Sequence, residues 1–528
     1  MSQNVQLSRA TIETVLRLGV REFILCAGAR NSPLVMQLEQ TKGIRISSFF
    51  EERSAGFYAL GRAQESERPV CVVTTSGTAV AELLPASIEA TYTKTPLVWL
   101  TADRPRKYRG TGAPQTVSQP GIFTEYVEKS VDVEEIRELE SSFNWEKTRP
   151  LHLNVCFDEP LLDGPFTLLD LPGDSLNNVP FASPLLNFDG SGFKDPFVIL
   201  GGISESYAVA VKNLILKHQW IHYAEAPSQL RGDPELCHLQ MQSGDKILFS
   251  AFREFSFQSL IRIGSVPTLR FWRDLEMEFK NIPVLNLSET VFSGLSRDTK
   301  VLELNQFLAW EKSRSLDQLM FFRQSQTQAL LQKDRQTTSK LLSLFQEFPL
   351  SEPAAIYHFS TNLPQRSSIY LGNSLPIREW DLAANYETRP LRVGANRGAN
   401  GIDGQISSFI GWCKPETSNF ALIGDLTALY DLVGLWAGKE RSNCSQRIVV
   451  INNGGGQIFK RIFGKDLFLN AHQLGFESWA KMWGWQYRKC LDSRNLKWTS
   501  QTTQEIIEVI PNAEQTAAFW QAWDQKEV

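Results

Sequence analysis

The chain has 528 residues, 42% of them hydrophobic and 21% charged, with a formal net charge of −4. Such a length exceeds a single hydrophobic core and suits roughly three domains at about 150 residues each. Lysines and arginines are dispersed, no apolar run reaches the ~18 residues of a membrane span, and no basic stretch precedes an apolar one at the start, so the expectation is a cytoplasmic protein with neither nucleic-acid nor membrane partners.

The first segment alternates helix and strand signals. Residues 10–18 have helical spacing, 23–26 read as a buried strand, and 27–33 as a loop. A strand over 44–50 runs into Glu51 and Glu52, and a helix carrying small residues follows from 53 to 61. Strands at 70–75 and 96–101 flank another small-residue helix, and a strand at 151–155 closes the unit before a connection rich in Pro, Gly and Asp over 158–191. The middle region offers strands at 197–200, 246–249 and 284–287, then helix over 313–348 and a linker at 349–353. The last unit has strands at 420–423 and 447–451 with a helix over 428–438 between them, and ends in aromatic-rich helices at 479–485 and 517–523. This alternation predicts an α/β fold of three doubly wound parallel-sheet domains, at 1–175, 190–345 and 354–528.

Chemistry concentrates where strands end. Gly424, Asp425, Leu426 and Thr427 follow one strand, and Asn452, Asn453, Gly454, Gly455 and Gly456 follow the next, about one β-α-β crossover later. Both strand ends therefore open on the sheet edge where α/β proteins bind ligands. Asp425 supplies an anionic oxygen, Asn453 a neutral amide oxygen, and the glycines a close backbone approach, a set suited to magnesium carried by a diphosphate. Glu52 lies at another strand end, where a carboxylate either caps the following helix or serves a ligand. Thr75, Ser76 and Gly77 likewise either cap a helix or present amides and hydroxyls. Arg30, Arg104, Arg378 and Arg397 all fall in loops after strands, which together predict a cationic pocket for substrates with several negative charges. The seven cysteines and six histidines lack metal-site spacing, so buried thiols are the default.

These residues carry a resemblance. The runs Glu51 to Gly56, Thr75 to Val80, Leu100 to Pro105, Gly112 to Gln115, Pro150 to Val155, Gly372 to Ser374, Asn396 to Gly404, Gly424 to Asp431 and Asn452 to Phe459 resemble the menaquinone-biosynthesis family of 2-succinyl-5-enolpyruvyl-6-hydroxy-3-cyclohexene-1-carboxylate (SEPHCHC) synthases, which depend on thiamine diphosphate. Leu426, where thiamine enzymes in general carry a second glycine, is characteristic of this branch. The resemblance implies a pyrimidine-binding first domain, a central domain, and a third that binds diphosphate and Mg2+ or Mn2+. It also implies a homodimer or dimer of dimers, and a transferase reaction in which 2-oxoglutarate loses carbon dioxide and its succinyl carbanion equivalent adds to isochorismate.

Carried over by position, the resemblance implies that Glu52 is the catalytic, cofactor-activating carboxylate. It puts Thr75, Ser76, Gly77, Ile402, Gly424, Asp425, Leu426, Thr427, Asn453 and Gly455 in cofactor binding, with Asp425, Asn453 and the Gly455 carbonyl as metal ligands and Asn452 as the alternative to Asn453. It puts Arg30, Arg104, Gln115, Ser374, Arg378, Arg397 and Phe459 in the substrate pocket, with Arg270 a candidate from the middle domain. One departure stands out: Ala29 replaces a serine common in the family, which removes a pocket hydroxyl. The competing readings are another thiamine diphosphate-dependent 2-oxoacid decarboxylase or acetolactate-type synthase, and a binding protein without catalysis.

Overall fold

The structure is a computed structural model that describes residues 3–171, 186–255, 257–315, 317–324, 327–385, 391–498 and 504–525. The expected boundary at 175 lies outside them. Among the described residues, no helix is long and apolar enough to cross a membrane.

The first sheet comprises β1 (Glu22–Cys26), β2 (Arg45–Phe49), β3 (Val70–Thr74), β4 (Leu97–Asp103), β5 (Lys129–Val133) and β6 (Leu151–Cys156), in the order β2-β1-β3-β4-β6-β5, all parallel. Its inner strands β1, β3, β4 and β6 are buried along their whole length, as expected of aliphatic strands covered on both faces. The edge strands β2 and β5 alternate between buried and open positions.

The chain forms two compact units. The first joins this sheet to Asn396–Glu416 and Thr427–Cys444. Within it the helices Glu52–Ser66 and Gln405–Trp412 cross closely. A Cβ at Gly61 would stand 2.0 Å from the Ser408 carbonyl oxygen, and one at Gly411 would stand 2.3 Å from that of Tyr58, so only glycine permits the approach. The buried Arg62 reinforces the crossing, donating from Nη1 to Gly411 O and from Nε to Glu22.

The second unit holds two further six-stranded parallel sheets. One runs β12-β11-β10-β7-β8-β9, from β7 (Pro196–Leu200), β8 (His222–Ala224), β9 (Gln240–Met241), β10 (Ser259–Ile263), β11 (Val284–Ser288) and β12 (Lys300–Glu303). The other runs β14-β13-β15-β16-β18-β17, from β13 (Ser367–Leu371), β14 (Arg392–Gly394), β15 (Ser418–Gly424), β16 (Ser445–Ile451), β17 (Gln486–Cys490) and β18 (Gln504–Val509). In the register of β15 and β16, Gly424 pairs with Ile451, so Asp425 and Asn452 leave the sheet at the same level.

Four local expectations are corrected. Residues 246–249 are not a strand but part of the helix Asp245–Arg253, because a four-residue apolar run fits either state and Gly244, at φ +54°, starts a helix with Asp245 in its first turn. Helix does not span 313–348: Leu304–Lys312 ends before Ser313, Asp317–Phe322 is a 3-10 turn, and only Thr327–Glu347 is a long helix. The helix expected to reach 485 is Glu477–Met482, stopped by Gly484 at φ +72° before β17. The helix expected over 428–438 is Asp425–Tyr430, interrupted at Asp431 and resumed as the 3-10 helix Leu432–Arg441. All seven cysteines are free; six are buried, whereas Cys237 is exposed, against the default.

Candidate functional site

In the first unit, Glu51 rather than Glu52 caps the helix Glu52–Ser66, its carboxylate accepting from Ser54 N at 2.8 Å. Capping therefore does not account for Glu52. Burial pushes the half-buried Glu52 carboxyl above the ordinary carboxylate range; its own backbone amide opposes the shift, and the charges of Glu51 and Glu82 add to it. Thr75, Ser76 and Gly77 follow β3, and Gly77 opens the helix Thr78–Ala81 without any side-chain cap, so Ser76 and Thr78 are not capping either.

Gln115 reaches this turn, donating from Nε2 to Ser76 O at 3.2 Å, while Gly77 N donates to Gln119 Oε1 at 2.9 Å. Gln119 in turn donates to Asn154 Oδ1 at 2.7 Å, which ties the turn to the buried polar interior of the sheet. Arg30 is buried; its Nη1 donates to Phe157 O at 3.0 Å and its Nη2 to Glu159 Oε1 at 3.1 Å. Arg104 Nη1 lies 3.9 Å from the same Glu159 oxygen, and Arg104 Nε donates to Pro114 O at 3.1 Å. Two of the arginines expected in the pocket thus converge on one exposed carboxylate, a geometry able to hold an anionic ligand group.

The loop bearing Arg397 and Ile402 belongs to the same unit. Its backbone is held by the buried Glu89, whose two carboxylate oxygens accept from Gly398 N and Ala399 N, each at 2.7 Å. Thr427 is buried nearby in sequence to Asp431, which accepts from Ser407 N at 2.9 Å and from Ser407 Oγ at 3.3 Å.

Asp431 makes a pH prediction. Burial pushes its carboxyl up to about 6, against the pull of Ser407 and Arg53. A raised folded value means that between about pH 4 and pH 6 the folded chain keeps a proton that the unfolded chain releases, so stability falls as pH rises through that window. The loss amounts to about 3 kcal/mol at most. Asp431→Asn keeps an acceptor for Ser407 and removes the titration, so denaturant unfolding should show a smaller decline between pH 4 and 6.5 than in the parent chain. Equal declines would refute this assignment.

In the second unit, Asp425 follows β15 and is buried, and its Oδ2 accepts from Gly454 N at 2.8 Å and Gly455 N at 2.9 Å. Its Oδ1 accepts from Leu426 N at 2.6 Å, and His472 Nε2 lies 3.4 Å from Oδ2. Burial pushes the Asp425 carboxyl up, opposed by these amides and by His472. The turn needs its glycines: Gly454 and Gly455 have φ of +81° and +132°, and a Cβ at Gly455 would lie 2.4 Å from Leu469 O.

The two asparagines differ. Asn452 turns its Nδ2 to Leu474 O at 2.8 Å and Glu508 Oε1 at 2.6 Å. Asn453 donates from Nδ2 to both Glu352 oxygens, at 3.0 and 3.1 Å, which leaves Oδ1 buried with no donor. An amide oxygen so placed is costly unless something else takes its lone pairs. The Gly455 carbonyl accepts from Gln457 N at 2.8 Å and keeps its second lone pair. A Cβ built on Gly424 meets nothing within 4 Å, so the strand end is open to a ligand. A carboxylate, an amide oxygen and a carbonyl oxygen fit a hard divalent cation.

Ser374 starts the helix Leu375–Ala383 at φ +73°, and its carbonyl accepts from Arg378 Nη1 at 2.6 Å. Phe459 follows the clamp, 40% exposed, with its ring 6.1 Å from that of Phe463. Arg270 is spent on its own helix: its side chain is largely exposed, and Nε lies 3.3 Å from Asp274 Oδ2. The geometry adds Glu89, Glu159, Glu352 and His472, which sequence reading missed. Each lies tens to more than a hundred positions from the loop it touches or shows only the pattern of an ordinary helix or loop residue. His472, only eighteen positions from Gly454, lacked any metal-site spacing.

Residues 5–122 match the family described as thiamine pyrophosphate enzyme, N-terminal TPP binding domain. Over its whole length the chain is similar to curated proteins named 2-succinyl-5-enolpyruvyl-6-hydroxy-3-cyclohexene-1-carboxylate synthase. The one from Bdellovibrio bacteriovorus is 44% identical, covering 99% of each chain. Those from Akkermansia muciniphila and a Synechococcus strain are 35% and 29% identical, covering 94% of each chain, and 87% of this chain with 84% of the relative.

Proposed function

Since the chain belongs to the family of 2-succinyl-5-enolpyruvyl-6-hydroxy-3-cyclohexene-1-carboxylate synthases, we propose that it joins the succinyl fragment of 2-oxoglutarate, released by decarboxylation, to isochorismate, in menaquinone biosynthesis. The observation that carries this reading, beside the full-length similarity, is the buried Asn453 Oδ1 without a donor next to the Asp425 turn. It supports Asp425, Asn453 and the Gly455 carbonyl as the ligands of Mg2+ or Mn2+, with Asn452 already committed to Glu508. When bound, thiamine diphosphate supplies the electron sink for losing carbon dioxide from a 2-oxo acid.

The protein's own groups do the rest. Glu52, relieved of capping by Glu51, holds a carboxyl of raised proton affinity for the cofactor's pyrimidine ring. The cofactor contacts assigned to this chain are Thr75, Ser76 and Gly77 after β3, and Gly424, Leu426 and Thr427 at and after the end of β15, with Ile402 assigned to support the cofactor's bent shape. Arg30 and Arg104, which together hold the Glu159 carboxylate, are suited to a substrate carboxylate, with Gln115 beside them. Arg378, Arg397, Ser374 and Phe459 complete the substrate contacts. The three sheets correspond to domains for pyrimidine binding, a central domain, and diphosphate and metal binding, in a cytoplasmic homodimer or dimer of dimers.

The test is direct. Purified protein with thiamine diphosphate, Mg2+, 2-oxoglutarate and isochorismate should yield an adduct with the mass of the family's named product, and size-exclusion light scattering should give a dimer or tetramer. Faster carbon dioxide release from pyruvate than from 2-oxoglutarate, with no adduct, would favour an acetolactate-type enzyme instead.

A further inference from the structure

Asn453 is a neutral amide, so nothing intrinsic decides whether its oxygen or its nitrogen faces a ligand. The surroundings decide it. Glu352 presents both carboxylate oxygens to Nδ2, and a flipped amide would set its oxygen against those two acceptors. Glu352 is itself rigidly anchored. It opens the helix Glu352–Thr361 behind the cap Ser351, its N–H donates to Thr516 Oγ1 at 2.9 Å, and Leu350 N donates to Gln515 Oε1 at 2.8 Å. Glu379, equally buried, lies against it.

We infer that Glu352 is a positioning residue that fixes the Asn453 amide with Oδ1 toward the divalent cation. This rests on the reading of Asp425 and Asn453 as metal ligands, and extends it to a buried carboxylate 101 positions away in sequence that acts through Asn453. Hydrogen-bond partners of metal ligands typically set affinity by 10–100-fold.

The probe is Mn2+ with thiamine diphosphate, the free ion being followed by its electron paramagnetic resonance signal, so that no turnover is needed. In Glu352→Gln the Mn2+ dissociation constant should rise about 10–100-fold, because a glutamine can meet either face of the Asn453 amide. Glu352→Asp, which keeps the carboxylate but shortens its reach, should fall between, and it serves as the second variant should the glutamine form fail to fold. In an Asn453→Ala background, which by itself weakens Mn2+, adding Glu352→Gln should have little further effect. Parent-like Mn2+ affinity in both Glu352 variants overturns the inference, as does an undiminished loss in the Asn453→Ala background. Parent-like affinity in Asn453→Ala alone would instead refute the ligand assignment, a separate failure.

Discussion

Glu52→Gln should lower turnover by roughly 10²–10⁴-fold, the range that a positioned acid–base group supplies, and should leave the fold intact. Both halves of that expectation come from the helix start. Glu51 accepts from Ser54 N, so the cap survives the change. Glu52 has no such task, and burial with the neighbouring Glu51 and Glu82 charges makes its ionised form unfavourable in the folded chain. A carboxyl raised in this way costs stability as pH rises through its folded value, so a neutral glutamine removes a cost rather than a support. Thermal unfolding at pH 7 should be unchanged or slightly higher in the variant, with cofactor affinity little altered. Parent-like turnover would take Glu52 out of its proposed role; a lower unfolding temperature would return it to a structural one.

Asp425→Asn should nearly abolish binding of the metal and cofactor together. One substitution removes the anionic ligand and also sets an amide NH2 or a single oxygen against Gly454 N and Gly455 N, both of which donate to Oδ2. Both amides donate to Oδ2 without a ligand, so their loss chiefly loosens the Gly454–Gly455 turn, while removal of the anionic ligand oxygen should raise the dissociation constant by roughly 10²-fold or more. Calorimetric titration of thiamine diphosphate in the presence of Mg2+ is the measurement. The matched pair Asn453→Ala and Asn452→Ala belongs in the same series: the first should weaken binding, whereas the second should chiefly loosen the contacts to Leu474 and Glu508. The reverse order, or full affinity in Asp425→Asn, would refute the clamp as drawn.

Much of the fold was legible because its strands are buried on both faces and so read as unbroken aliphatic runs, as in β1, β3, β4, β15 and β16. The same property misleads over short stretches. Lys246 to Phe249 has a strand's composition, yet Gly244 and Asp245 start a helix there. The break at Asp431 was hidden for another reason. Its apolar neighbours keep helical spacing, but its side chain leaves to bind Ser407, a partner 24 positions back.

The sequence by itself determined the alternating α/β architecture, the strand-end positions of Glu52, Asp425 and Asn453, and the branch of thiamine enzymes to which their surroundings point. Those features are local: a strand, its turn and the residue after it are contiguous in the chain. Only the tertiary structure decided which carboxylate caps and which is free at Glu51 and Glu52, which asparagine turns away, and which distant groups hold the site. Glu89 grips the Arg397 loop, Glu159 gathers Arg30 and Arg104, and Glu352 orients Asn453. The physical reason is that a buried polar group must find its partner wherever the packed chain brings one, and sequence spacing carries no record of that partner.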